Sequence, residues 1–377
     1  MDTENYYLDR VDFINNLNEF IIHGWCFKLK HAESMLFVTK SGEEILIPRD
    51  QWGLPSSDIQ NAHGDELYDV RFEITLEKIK NYSFEEILHG KLKIVHKHEV
   101  FYIFITNKYF VSTEASKKKI GELKVGIGFI TYNRVEILKR KFSNLIDFTD
   151  KNHEIFVADD GSDDGSKEFL STQKGISFIS CKNKGISHNK NRALFYLKDI
   201  MNCDVIIILE DDTYPIRKDW EIPWIVSSLL YGHSNFAPPW FNGFIRGDGT
   251  WRSPWEISVV TAQCSAFLSE AISYVGYFDP RFGKYGHEHV EHTDRLIKLG
   301  FGGYKNPNKE NIFFLLGAND SLEILESTSY SSQEEIDKNG AIFEAIKSES
   351  AYRSPWRSNN QSLLEFKEEM QNIIRNH

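Results

Sequence analysis

The segment Lys124-Val125-Gly126-Ile127-Gly128-Phe129-Ile130-Thr131-Tyr132-Asn133-Arg134 joins a short apolar run to a polar tetrad. Residues 135–148 follow with Ile137, Leu138, Phe142, Leu145 and Ile146 at helical spacing. An apolar run of this length bounded by polar residues predicts a buried strand, and the 3.6-residue period behind it predicts a helix. The pattern repeats downstream. Strands are expected over 154–158, 176–180 and 204–209, with helical stretches over 166–170 and 186–199. Strands alternating with helices predict an α/β domain with a mostly parallel sheet and right-handed crossovers. Ligands of such sheets sit beyond the carboxyl ends of the strands.

Upstream, the rhythm is different. Short runs at 20–22, 35–39, 44–47, 70–74, 91–95 and 100–106 are separated by polar turn clusters such as Lys40-Ser41-Gly42. Many short strands at close spacing predict an all-β module, read as a sandwich. The solvated stretch Ser116-Lys117-Lys118-Lys119 marks its end, giving a β-rich accessory domain over 1–118. Downstream of 304 the α/β rhythm stops. Residues 332–346 and 362–374 carry helical spacing, so 305–377 is expected to be a helical extension packed on the domain spanning 119–304. With 377 residues the chain is long enough for two or three domains, each with its own core.

Lys plus Arg number 44 against 55 Asp plus Glu, a formal net charge of −11. That excludes a basic nucleic-acid coat, which works through clustered cations. Cys26, Cys181, Cys203 and Cys264 form no Cys-x-x-Cys pair, which excludes a zinc knuckle or redox dithiol and fits a reduced, cytoplasmic protein. The acidic start Met-Asp-Thr-Glu-Asn lacks a basic then apolar leader, and the aliphatic run 205–209 is far below the ~20 residues of a membrane span. Membrane association is expected to be peripheral at most, at the inner face.

Polar residues end four successive strands: Thr131-Tyr132-Asn133-Arg134, Asp159-Asp160-Gly161-Ser162, Asn183 through Asn191, and Glu210-Asp211-Asp212. Asp-Gly-Ser after a strand is also an ordinary turn and cap signal. Three consecutive carboxylates ending a buried strand are harder to explain so, because they repel one another unless a cation compensates.

In this order and spacing, together with Gly276-Tyr277-Phe278-Asp279 and the 288–295 segment, these elements resemble the catalytic domain of family 2 glycosyltransferases of GT-A fold. The resemblance covers 124 to about 303, nearly half the chain. It implies a mixed sheet flanked by helices, a nucleoside diphosphate sugar donor (usually of uridine), a carbohydrate acceptor, an inverting reaction and a role in bacterial surface glycan synthesis. It implies that Thr131, Asp159 and Asp160 hold the base and ribose. Tyr132, Asn133, Arg134, Gly185, Lys190, Asn191 and Asp211 fall to the donor site, with Lys190 standing where many members have arginine. Asp212 matches the last aspartate of the family's Asp-x-Asp motif and Glu210 its first position. Carboxylates with phosphates and waters suit Mn²⁺ or Mg²⁺. The N-terminal module resembles accessory β-sandwiches of some bacterial glycosyltransferases, with acceptor binding, scaffolding and oligomerisation all open.

One position departs from the pattern. Where members commonly carry Glu-Asp with the aspartate as base, this chain has Glu288-His289. A neutral imidazole can serve as base near neutral pH; Glu288 is the other candidate. The dense His287-Glu288-His289-Val290-Glu291-His292 segment also invites a zinc reading, but His-Glu-x-x-His needs histidines four apart and these stand five and three apart. Glu291 and the aromatics Trp251 and Trp255, in a Gly/Pro-punctuated loop, are candidate acceptor contacts; a hydrophobic cluster beneath a surface loop is the plainer reading of the two tryptophans. Two rival functions remain: a sugar nucleotidyltransferase, for which the tetrad after the first strand is not the glycine-rich basic loop required, and a non-catalytic carbohydrate-binding protein that has lost its base.

Overall fold

The computed structural model describes residues 6–64, 67–105, 110, 112–283, 286–317, 321–325, 332–357 and 359–376. The chain folds as two compact units, Met1–Leu123 and Lys124–His377.

The first unit holds two four-stranded antiparallel sheets. One is ordered β1 (Tyr6–Ile14), β2 (Glu19–Cys26), β6 (Asp69–Glu77), β5 (Trp52–Pro55); the other is β4 (Glu44–Leu46), β3 (Ser34–Val38), β7 (Lys91–Val95), β8 (Val100–Phe104). The strand expected to 106 is described to Phe104, and Thr106 lies outside the described residues. Phe20 of β2 meets Phe37 of β3 edge-on at 6.2 Å, so inward aromatics join the two sheets. Among the described residues the unit also holds two short α-helices, α1 (Ser57–His63) and α2 (Phe84–Leu88); α2 starts in a capping box between Ser83 and Glu86.

In the second unit, β9 (Val125–Thr131), β10 (Glu154–Asp159), β11 (Ile176–Ser180) and β12 (Val205–Glu210) are mutually parallel in the order β12-β9-β10-β11. The sheet reaches ten strands among the described residues. Beyond β12 lie β16 (Cys264–Leu268), β14 (His233–Ala237), β18 (Asn311–Gly317) and β15 (Trp255–Ile257), with β17 (Gly303–Lys305) beside β18. A short ribbon pairs β13 (Thr213–Pro215) with β19 (Leu322–Ile324). At the far edge β20 (Ile374–Asn376) runs antiparallel to β11. The stretch after 304, expected to be helical, therefore also supplies strands to this sheet. Ile312 to Leu316 are all buried, a short apolar run that fills a core strand rather than one face of a helix.

The helices are α3 (Val135–Phe148), α4 (Ser166–Ser171), α5 (Ile186–Phe195, continued by a π turn over Tyr196–Ile200), α6 (Ile222–Tyr231), α7 (Ser269–Val275), α8 (Glu288–Lys298), α9 (Gln333–Ile346) and α10 (Asn360–Met370). All seven residues of β9 are buried, and each enclosed Ile or Phe contributes roughly 1.5–3 kcal/mol. The glycines of β9 have a packing reason. A Cβ at Gly126 would lie 2.7 Å from Leu197, and one at Gly128 would lie 2.5 Å from Ile208 and 3.1 Å from Ala193. Their absence lets α5 lie close on the sheet, which brings its first turn beside the ends of β10 and β12.

Candidate active site

The loops after β9 and β10 lock together first. The Asn133 N–H donates to Ser162 Oγ at 2.7 Å, and Asp163 N–H donates to Asn133 Oδ1 at 2.9 Å. Asn133 adopts φ 52°, a left-handed conformation that asparagine tolerates. Asp159 is saturated by neighbours: Ser162 donates from its N–H and hydroxyl, and Ser180 Oγ donates at 2.5 Å. Asp160 accepts from the N–H groups of Lys184 (3.0 Å) and Gly185 (2.8 Å) and from Arg192 Nη1 (2.9 Å). Burial raises its carboxyl, with these donors opposing. A carboxylate offers about four acceptor sites, so Asp160 Oδ2 keeps one open while Asp159 does not. Gly185, at φ 92°, is needed for close approach: a Cβ there would sit 1.5 Å from Gly283 O.

At the end of β12, Asp211 accepts from the Tyr132 N–H at 3.1 Å and lies 3.4 Å from Arg134 Nε. Asp212 accepts from Thr213 Oγ1 at 3.0 Å. Burial pushes Glu210, Asp211 and Asp212 upward, Asp211 to about 6, and neighbouring carboxylates add to the rise in each.

Lys190 of α5, itself buried, places Nζ 2.7 Å from Glu210 Oε1 and 3.2 Å from Glu288 Oε1. One ammonium thus joins the end of β12 to the start of α8. Glu288 also accepts from the Gly286 N–H at 3.1 Å. Burial opposes its ionisation, yet Lys190 and His289 hold its carboxyl far below the usual range. His289 lies beside it, Nδ1 3.5 Å from Glu288 Oε1 and Nε2 3.3 Å from Val260 O. His287, just before α8, takes φ 69°, a strained conformation that sets the angle at which α8 begins.

Other expected site residues are spent elsewhere. Asn191 is buried, donates to Phe278 O at 2.9 Å and accepts from the Phe278 N–H at 2.9 Å, so it holds the 276–279 loop. Glu291 is buried in a two-pronged pair with Arg295 at 2.8 and 2.9 Å. Trp255 stacks on Phe244 at 4.3 Å, against a cluster that includes Ile257, Val260 and Phe313. Trp255 is partly buried there, and Trp251 is buried. Thr131 is buried at the end of β9, and the ring of Tyr132 is exposed.

Two residues central to this network were not singled out from the sequence. Arg192, fully buried, donates to Asp160, Asn189 Oδ1 and Lys182 O, and Asn189 donates to Ala158 O at 2.8 Å. Their spacing of three on the first turns of α5 was the available signal.

Among the described residues no three His, Cys, Asp or Glu side chains are arranged to hold a metal alone. The donor chemistry nevertheless fits a divalent cation that takes one or two carboxylates and completes its shell with diphosphate and water. Asp212, next to two further raised carboxylates, is suited to that ligand role, whereas Glu210 already has the Lys190 ammonium. No helix among the described residues is long and apolar enough to cross a membrane.

Residues 127–267 match the model of glycosyl transferase family 2. The second unit therefore contains a region similar to family 2 glycosyltransferases, carried on a mixed sheet flanked by helices. No curated protein matches the chain at significant sequence similarity. Similar solved structures include a mannosyltransferase from Pyrobaculum calidifontis with GDP-Man and Mn²⁺ (15% identity, 50% of this chain and 56% of that one, TM-score 0.37). Others are GalNAc-T7 with UDP, GalNAc and Mn²⁺ (15%, 66% and 55%, 0.42) and TarS of S. aureus (14%, 60% and 44%, 0.38). The matches span about half the length of those chains, and likeness at this level carries no information on the donor or acceptor used here.

Proposed function

We propose that the protein is an inverting, metal-dependent glycosyltransferase that moves one sugar from a nucleoside diphosphate donor, UDP-linked, to a carbohydrate hydroxyl. The observation that carries this reading is the Glu210–Lys190–Glu288 bridge, which ties the cation-seeking end of β12 to the start of α8, where His289 lies.

In the reaction the acceptor oxygen forms a bond to the anomeric carbon as the bond to the diphosphate oxygen breaks. The proton of the acceptor hydroxyl passes to His289 Nδ1, the nitrogen left as acceptor when Nε2–H donates to Val260 O, and Glu288 Oε1 lies 3.5 Å from it. Glu288 is enclosed and ion-paired, which suits it to orient and balance His289 rather than to take the proton itself. Asp160 Oδ2 and the 131–134 loop would face the nucleotide, and Asp212 would hold the cation. That cation, when bound, neutralises charge on the departing diphosphate. Holding both reactants in register supplies much of the remaining acceleration.

The test is turnover of a panel of UDP-sugars with Mn²⁺. Release of UDP with a new glycosidic product is expected; no nucleotide binding and no turnover across a broad donor panel would sink the reading.

A further inference from the structure

The buried network behind Asp160 ends outside the 127–267 region, on the C-terminal helix α10. Glu369 Oε2 accepts from Arg192 Nε at 3.1 Å and lies 2.8 Å from His188 Nε2, and its Oε1 lies 2.7 Å from Lys184 Nζ. The same Arg192 donates to Asp160, whose oxygens receive the Lys184 and Gly185 amides. Glu369 therefore holds both ends of the 184–192 segment, through Lys184 at its start and Arg192 within α5. The helix that carries it is firmly seated. Phe366, fully buried, packs on His188 at 5.5 Å, Phe195 at 5.2 Å and Trp356 at 5.9 Å. Burial disfavours the Glu369 charge, yet the three cationic or hydrogen-bonding partners hold its carboxyl down to about 2.

We propose that Glu369 is a positioning residue for the nucleotide donor: through Arg192 it aims the Asp160 carboxylate so that one acceptor site on Oδ2 faces the base or ribose. This rests on the glycosyltransferase reading. Arg192 reaches Asp160 through Nη1 alone, and with the Lys184 and Gly185 amides on the two oxygens this fixes the carboxylate in rotation as well as place, while Glu369 holds the guanidinium at Nε. Without the Glu369 charge, Arg192 keeps its bonds to Asn189 Oδ1 and Lys182 O but loses the partner at Nε that fixes the tilt of its plane, and the open acceptor site on Asp160 moves.

The experiment uses the full chain. Binding of UDP, GDP, dTDP, ADP and CMP, each with Mn²⁺, is measured by calorimetry for wild type, Glu369→Gln and Glu369→Asp, with donor KM and kcat for the nucleotide that binds. Glu369→Gln is expected to weaken that nucleotide and raise donor KM by about five- to twenty-fold with kcat within two-fold, and Glu369→Asp to recover part of the loss. A purely structural residue would lower Tm and the active fraction and leave KM unchanged; that result overturns the proposal. Hydrogen exchange on the wild type covers the case in which the Gln variant does not fold. Nucleotide should protect residues 182–189 and 360–370 together, and protection of 182–189 alone overturns the proposal. If no nucleotide binds the wild type, the glycosyltransferase reading fails and takes this proposal with it. Tight binding that Glu369→Gln leaves intact defeats this proposal alone.

Discussion

Asp211 and Glu288 are both enclosed carboxylates, one just after β12 and one at the start of α8, yet they hold their protons in opposite ways. Asp211 is raised by burial to about 6; Arg134 and the Tyr132 N–H offset this only partly, and Glu210 adds to it. Glu288 is more deeply enclosed, but Lys190 at 3.2 Å and His289 at 3.5 Å overcome the burial and keep it ionised. The difference is one of internal compensation. The α8 side carries its own counter-charge, while the end of β12 gathers three carboxylates around too little positive charge. A site of that second kind gains from an external cation, and the first kind does not.

The largest test of this contrast is Asp212→Asn. It should cut turnover by about 10²–10³-fold and abolish the Mn²⁺ dependence of nucleotide binding, while the folded state at the α8 side stays intact. Steady-state kinetics with a Mn²⁺ titration reads both. An equally active variant would place the cation elsewhere. Next, Lys190→Met strands two buried carboxylates and should cost about 3 kcal/mol of stability at neutral pH. Denaturant unfolding measures it, and a loss below 1 kcal/mol would mean that the end of β12 and the start of α8 are not joined through this ammonium.

His289→Ala sharpens the comparison from the other side. Transfer should fall by about 10²–10³-fold with nucleotide affinity nearly unchanged. Unchanged turnover would move the base role to Glu288. The smallest effect concerns Glu369, depressed to about 2 from an ordinary 4.5. A depressed carboxyl stabilises the fold above its unfolded value, and that contribution is lost as pH falls through the folded value. Solvent screening discounts the contribution of this partly exposed group, so wild type should exceed Glu369→Gln by on the order of 1 kcal/mol at pH 7, with the gap closing between about pH 4.5 and 2. A gap that persists at pH 2 would remove charge from the explanation.

Much of the α/β unit was legible in the chain because buried strands read as apolar runs. The runs at 125–131 and 176–180 coincide with β9 and β11, and the helical period over 135–148 coincides with α3. The strands after 304 were harder to see. β20 is three residues long and gains its place only by pairing with β11, while the 312–316 run is as compatible with a buried helix as with a strand until its neighbours are known. At the site, the polar tetrads at strand ends were visible as motifs, but the partners of each side chain were not. Asn191 and Lys190 are adjacent in sequence and point to different tasks, one to the Phe278 backbone and the other to Glu210 and Glu288.

Local order along the chain determined which segments would be strands or helices, where the acidic motif falls, and that a histidine follows Glu288. These depend on side-chain period and on residue identity, which a linear text carries in full. The tertiary structure alone decided the charge pairings. Lys190 meets Glu288 across 98 positions, and Arg192 meets Glu369 across 177. Contacts at such separation arise only when packing removes water and forces each buried charge to find a partner. Pattern along the chain does not encode which partner that will be.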